Sequence, residues 1–188
     1  MNSLKRNVII WAVDVNQEPK ETENIISELK TWSKRLKCNV QPVSVFSQSA
    51  LSYPVDMTSL WIKGIENYAN ESLNQFLKKA RAKGFLPPKI VLSKSFSNRE
   101  MALELSKFAE KRNASVIFAS TRAKKTWNPL RLGGFAETLV ATSRVPVLLL
   151  NQAASPSAKI PNILFPTNFS KESKTALSLL EPWARSFK

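Results

Sequence analysis

Arg122, Lys124, Lys125 and Arg131 fall in one polar stretch, Ser120 to Leu132, which runs into Gly133-Gly134 and the start of a helical pattern. Side chains of this type hold anions through charge-assisted hydrogen bonds. A helix start adds backbone N–H groups without intrahelical partners and a positive dipole end. The chemistry on offer is anion binding. Asp14 stands just past an apolar run, Val8 to Val13, where a lone Asp commonly caps a turn through its own side chain. Acid–base catalysis finds no comparable support. The chain has no His, which removes the usual neutral-pH base and the commonest transition-metal ligand. No nucleophile stands beside a base and no carboxylate pair ends a strand pattern, so the chain is expected not to be an enzyme, slow nucleotide hydrolysis apart. No metal or catalytic residue is assigned. The single cysteine, Cys38, allows neither an intrachain disulfide nor a Cys-based zinc site. It precedes an apolar strand pattern, as a buried structural thiol would, while Lys34, Arg35 and Lys37 nearby keep a reactive thiol open.

Something must position these residues, and the pattern along the chain says what. Val8–Val13 is continuously apolar and rich in β-branched residues, as expected of a strand covered on both faces. Ile25, Ile26, Leu29, Trp32 and Leu36 recur at helical spacing, predicting a helix from about Thr22 to Leu36. Val40–Phe46 reads as a second strand. Ser47–Thr58 is irregular around Pro54. A helix follows from Leu60 to Lys83, with Gly84 as terminator. Strands at Lys89–Leu92, Ala114–Ala119 and Val145–Leu150 alternate with helices at Asn98–Arg112 and Phe135–Thr142. This alternation predicts an α/β fold: a doubly wound, mainly parallel five-stranded sheet with helices on both faces. Such sheets bind ligands beyond the carboxyl ends of their strands, which points to the loops after Val13, Phe46 and Ala119.

The sequence divides into a first domain at residues 1–151, a linker at 152–159 and a remainder at 160–188. Ile163-Leu164-Phe165-Pro166-Thr167-Asn168 and the helical pattern Lys171–Phe187 repeat the strand-loop-helix logic of Val8 to Leu36, with Pro182 expected to kink or restart the helix. This C-terminal strand-helix fragment reads as the start of a second, similar domain, as in a tandem protein cut short. At 188 residues, with 43% hydrophobic and 22% charged residues, the chain is globular in composition. The net charge of +14 favours anionic partners such as nucleotides, nucleic acid or anionic lipid. No nucleic-acid-binding signature accompanies it. Lys34–Lys37 and Lys78–Lys83 read as solvated helix ends. No apolar segment approaches membrane-spanning length, and the chain is expected to be cytoplasmic, with no membrane partner.

Ala12-Val13-Asp14 resembles the opening of universal stress proteins, and Ser115 to Leu150 resembles that family's closing strand-loop-helix-strand. The family pattern there is Gly-x-x-Gly, nine residues, then Gly-Ser or Gly-Thr. This chain has Ser120-Thr121-Arg122-Ala123, nine residues ending at Leu132, then Gly133-Gly134. Phe135-Ala136-Glu137 and Val145-Pro146-Val147-Leu148 also fit. Ile163 to Ser170 resembles a second opening, with Asn168 where Asp is usual. The resemblance implies an adenine nucleotide alpha hydrolase-like fold, ATP as a possible ligand, and a homodimer or a pair of like domains joined through the last strand. Carried over residue by residue, it sets Asp14 against the nucleoside and Val45 near the base. Ser120, Thr121, Arg122, Ala123, Lys124, Lys125, Gly133 and Gly134 become the phosphate loop.

Departures from the pattern leave two readings. Ser120 and Ala123 replace glycines that permit positive φ and close backbone approach to phosphate, and Gly134 lacks the final hydroxyl. The cations of the loop either take over from the missing contacts, or the loop keeps the fold and binds nothing. In the first case the chain is a stress-response module working by ligand-dependent conformation or dimerisation. In the second it is a protein-interaction scaffold. Trp127 either stacks on a base or covers the domain surface.

Overall fold

The computed structural model describes residues 8–47, 58–121, 134–151 and 163–185. Strand β1 (Val8–Ala12) is apolar throughout because it lies mid-sheet with a helical layer on either side. Its side chains alternate: Ile9 and Trp11 enter one core, Val8 and Ile10 the other. The chain continues through a short 3-10 turn (Pro19–Thr22) into α1 (Glu23–Leu36), β2 (Asn39–Ser47), α2 (Thr58–Lys79), β3 (Lys89–Ser93), α3 (Asn98–Lys111), β4 (Ala114–Thr121), α4 (Gly134–Thr142), β5 (Val147–Asn151) and α5 (Lys171–Arg185). Every strand pairing is parallel and the order is β3-β2-β1-β4-β5. The doubly wound α/β sheet expected from the alternating pattern is therefore present. Winding proceeds outward from β1 through β2 to β3, then restarts on the other side at β4. The reversal lies between β1 and β4, where the following loops part company and a crevice opens.

Each face has its own apolar layer. Ile25, Ile26, Leu29 and Trp32 of α1 join Leu73, Phe76 and Leu77 of α2 on one side. Trp32 meets Phe118 of β4 edge-to-face at 5.5 Å and 76°, the offset geometry aromatic quadrupoles favour. Ala102, Leu105 and Ala109 of α3 join Leu139 of α4 on the other. Register within the sheet carries one irregularity. Val8 pairs with Ala114 but Ile9 with Val116, so Ser115 is an extra residue in β4. Its hydroxyl lies 3.4 Å from the Cys38 sulfur, and Cys38 is buried, as a structural thiol would be.

Helix ends depart from the sequence expectation. α2 stops at Lys79 rather than Lys83, well before Gly84. Arg81 takes the left-handed conformation at φ 53, and Ala82 N–H reaches back to the Leu77 carbonyl at 3.0 Å. α1 closes in the same way on Lys37 at φ 52, with Cys38 N–H on the Ser33 carbonyl at 3.1 Å. These are Schellman closures built on long basic side chains instead of glycine. Lysine and arginine there leave cations beside the exposed helix carbonyls.

A second correction concerns the C-terminal segment. The strand expected at Ile163–Phe165 does not form: residues 163–170 make no ladder, and Leu164 is 92% exposed. A strand needs a partner edge, and the described sheet order ends at β5. The expected helix does form, and α5 runs unbroken through position 182 rather than restarting there. The linker at 152–159 and the irregular stretch at 48–57 lie outside the described residues. Among those described, no helix is long and apolar enough to cross a membrane.

Replacing Lys37 or Arg81 by Gly removes the Cβ that left-handed backbone disfavours. Either change is expected to raise stability by about 1 kcal/mol, read as a higher urea midpoint at unchanged slope. A lower midpoint would contradict the backbone account of these helix ends.

Candidate functional site

On the face covered by α3 and α4, side chains shrink toward the carboxyl edge of the sheet. Ile10 pairs with Ile117, and two residues further on Ala12 pairs with Ala119. All four belong to the same layer. Where the isoleucines fill the space beneath the helices, the alanines leave it open. The result is a cavity of about 540 Å³, within the range of small-molecule sites. It is bordered by the ends of β1, β2 and β4 and by the first turns of α3 and α4. It lies at the strand-order reversal.

Four of the residues singled out in the sequence meet there: Asp14, Val45, Ser120 and Gly134 all border the cavity. Asp14 accepts the Asn16 N–H at 3.0 Å, so it caps its own turn while standing exposed at the cavity edge. Val13 N–H bonds the Val43 carbonyl at 2.8 Å and the Ser44 hydroxyl donates to the Val13 carbonyl at 2.9 Å, locking the end of β1 to β2. Val45 reaches the cavity because odd-numbered residues of β2 face the α3/α4 layer, as Val43 does. Thr121 is not among the bordering residues. Its hydroxyl donates to the Leu150 carbonyl at 3.3 Å and ties β4 to β5. Arg122, Ala123, Lys124, Lys125 and Gly133 lie outside the described residues, as do Trp127 and Arg131. Among the described residues, Asp14 is the one charged side chain on the cavity border. The sequence concentrates positive charge in the 122–133 segment, which lies outside the described residues.

Gly134 has a packing reason to be glycine. A Cβ there would lie 2.7 Å from the side-chain nitrogen of Asn98, the first residue of α3. The two helix starts therefore meet closely at the cavity wall.

Sequence reasoning missed Phe96, Asn98, Met101 and Phe135, which also border the cavity. The loop after β3 is not among the three that the sequence pattern points to, those after Val13, Phe46 and Ala119. A signal was present nonetheless in the alternation Ser93-x-Ser95-x-Ser97, which places hydroxyls at every second position. The Ser93 hydroxyl donates to the Ser95 carbonyl at 2.9 Å and accepts its N–H at 3.3 Å. The Ser95 hydroxyl accepts the Ser97 N–H at 3.1 Å, and the Ser97 hydroxyl caps α3 through the Glu100 N–H at 3.1 Å. Gln17 was missed as well. It is 6% exposed, and its Oε1 lies 3.5 Å from the Ser120 hydroxyl at the β1/β4 crevice. Among the described residues its Nε2 is buried without a hydrogen-bond partner.

The arrangement can hold a small molecule with an apolar part against the largely apolar cavity border. No family model matches the chain, and no curated protein matches it significantly. Solved structures do match. The chain is similar to a universal stress protein from Archaeoglobus fulgidus DSM 4304, at 18% identity over 97% of this chain and 64% of that one, with a TM-score of 0.63. It is similar to the universal stress protein UspA from Lactobacillus plantarum, at 12% identity over 77% of this chain and 97% of that one, with a TM-score of 0.53. A universal stress protein in complex with cAMP aligns at 10% identity over 78% of this chain and 98% of its own, with a TM-score of 0.51. The fold is that of the universal stress proteins.

The Asn98–Gly134 contact can be tested by a double-mutant cycle. In an Asn98→Ala background, Gly134→Ala is expected to be tolerated. In the wild-type background it forces the amide aside, giving a coupling of about 0.5 kcal/mol or more in urea unfolding. Additive effects would contradict the contact.

Proposed function

We propose that this chain is a universal stress protein-like module that binds ATP or a related adenine nucleotide and acts through ligand-dependent conformation or dimerisation rather than catalysis. The observation that carries this reading is the cavity at the strand-order reversal, on whose border Asp14, Val45, Ser120 and Gly134 converge. Asp14 contacts the nucleoside and Val45 lies near the base. Ser120 to Lys125 with Gly133 and Gly134 hold the phosphates, with Arg122, Lys124 and Lys125 replacing glycine backbone contacts by charge. The cAMP complex of a structural neighbour supports a nucleotide as ligand. Ligand binding shifts conformation or assembly only through unequal affinity for the two states. β5 is an edge strand of the described sheet, which supports pairing of two like domains through it. A cytoplasmic address belongs to the same reading.

The domain reading extends this proposal: residues 1–151 form the nucleotide module, 152–159 the linker, and 160–188 the opening of a second module. Asn168 accepts the Ser170 N–H at 3.1 Å, the same turn that Asp14 makes with Asn16. The Archaeoglobus alignment spans 97% of this chain, which brings most of the C-terminal segment into the comparison. Ile163, Leu164 and Phe169 stand exposed, apolar surface that the remainder of such a module would cover.

A second reading, an interaction scaffold without nucleotide, draws on Ser120 and Ala123 in place of glycines and on the packing role of Gly134. Calorimetric titration of the full chain with ATP and magnesium separates the two. Binding is expected in the wild type, loss of it in Ala12→Ile, which fills the cavity, and a weakening of about tenfold or more in Arg122→Ala/Lys124→Ala. A folded wild-type chain that gives neither heat nor thermal shift with ATP would overturn the nucleotide reading, and unchanged dimerisation in Arg122→Ala/Lys124→Ala would then favour the scaffold.

A further inference from the structure

Phe96 is 59% exposed, yet it borders the cavity instead of a featureless surface. A large aromatic side chain in that position leaves apolar area in water that a partner can cover. Its backbone is held on both sides. Ser93 and Ser95 close the turn before it, and Ser95 and Ser97 bond across it into the cap of α3. The ring is therefore presented on a fixed backbone, so that little loop ordering remains to oppose binding. Phe135, in the first turn of α4, borders the same cavity, as does Met101 from α3. No cation shares the border among the described residues, so this end of the site suits a flat, weakly polar group better than a phosphate.

We infer that Phe96 is a stacking residue: its ring covers one face of a planar heteroaromatic base seated in the cavity, and it makes the site select for an aromatic moiety rather than for the anion alone. This rests on the nucleotide reading and adds to it a specificity-determining residue outside the strand-order reversal. Stacking of this kind tolerates different bases, because every base has a π face. The site is therefore expected to discriminate weakly among bases and strongly against a ligand with no base.

The test is calorimetric titration of the full chain and of Phe96→Ala, Phe96→Leu and Phe96→Trp with ATP, adenosine and inorganic tripolyphosphate. Phe96→Ala and Phe96→Leu should weaken ATP and adenosine by about tenfold, leave tripolyphosphate unchanged, and shift the thermal midpoint little, since the side chain is largely exposed. Phe96→Trp should restore ATP and adenosine affinity. Equal affinity of wild type and Phe96→Ala for ATP would overturn the stacking role while leaving nucleotide binding intact. Equal weakening of ATP and tripolyphosphate would overturn it too, by pointing to a displaced loop. A wild-type chain that binds none of the three would overturn both this inference and the nucleotide reading.

Discussion

The cavity depends on a pair of methyl groups. Ala12 and Ala119 oppose each other on adjacent parallel strands, on the face that α3 and α4 cover. The larger pair next down that face, Ile10 and Ile117, closes the gap between sheet and helices. The alanines do not, and the space they leave falls at the carboxyl edge, where the loops of a doubly wound sheet diverge. The other face of the same strands is filled by Trp11 and Phe118, which anchor the edge from behind. A rigid, close-packed layer on one side and an undersized one on the other give a cavity without a flexible core.

That cavity collects chemistry from elements far apart in sequence. Asp14 comes from the β1 loop, Ser44 and Val45 from β2, Phe96 from the loop before α3, Asn98 from its start, Ser120 from β4, and Gly134 from α4. Two helix starts meet at its wall through Asn98 and Gly134, so their positive dipole ends approach one site. The described border is otherwise neutral apart from Asp14, while the chain as a whole carries +14. This apolar, aromatic border suits the flat base of the nucleotide proposed above better than its phosphates.

Much of the fold was legible because parallel strands buried on both faces read as continuous apolar runs, and Val8–Ala12 and Val116–Ala119 are such runs. The end of α2 was not, because Arg81 adopts a left-handed conformation that sequence rules assign to glycine. Nor was the missing C-terminal strand: Ile163–Phe165 has strand composition, but composition supplies no partner edge. At the site, Asp14, Val45, Ser120 and Gly134 were found from strand ends and from the family resemblance. Phe96 was not, since its placement follows from three-dimensional register and from the Ser-x-Ser-x-Ser turn. The Ala12–Ala119 pairing depends on the register downstream of the extra residue Ser115, which no local pattern reveals.

Backbone amide shift mapping by NMR, with ATP and magnesium titrated into the full chain, reads occupancy of the cavity residue by residue. Nucleotide seated in the cavity should give saturable shifts at Asp14, Val45, Phe96, Ser120 and Gly134, residues that share the cavity and little else. Shifts absent from these positions, or confined to lysine-rich helix ends such as Lys78 and Lys79, would contradict that placement.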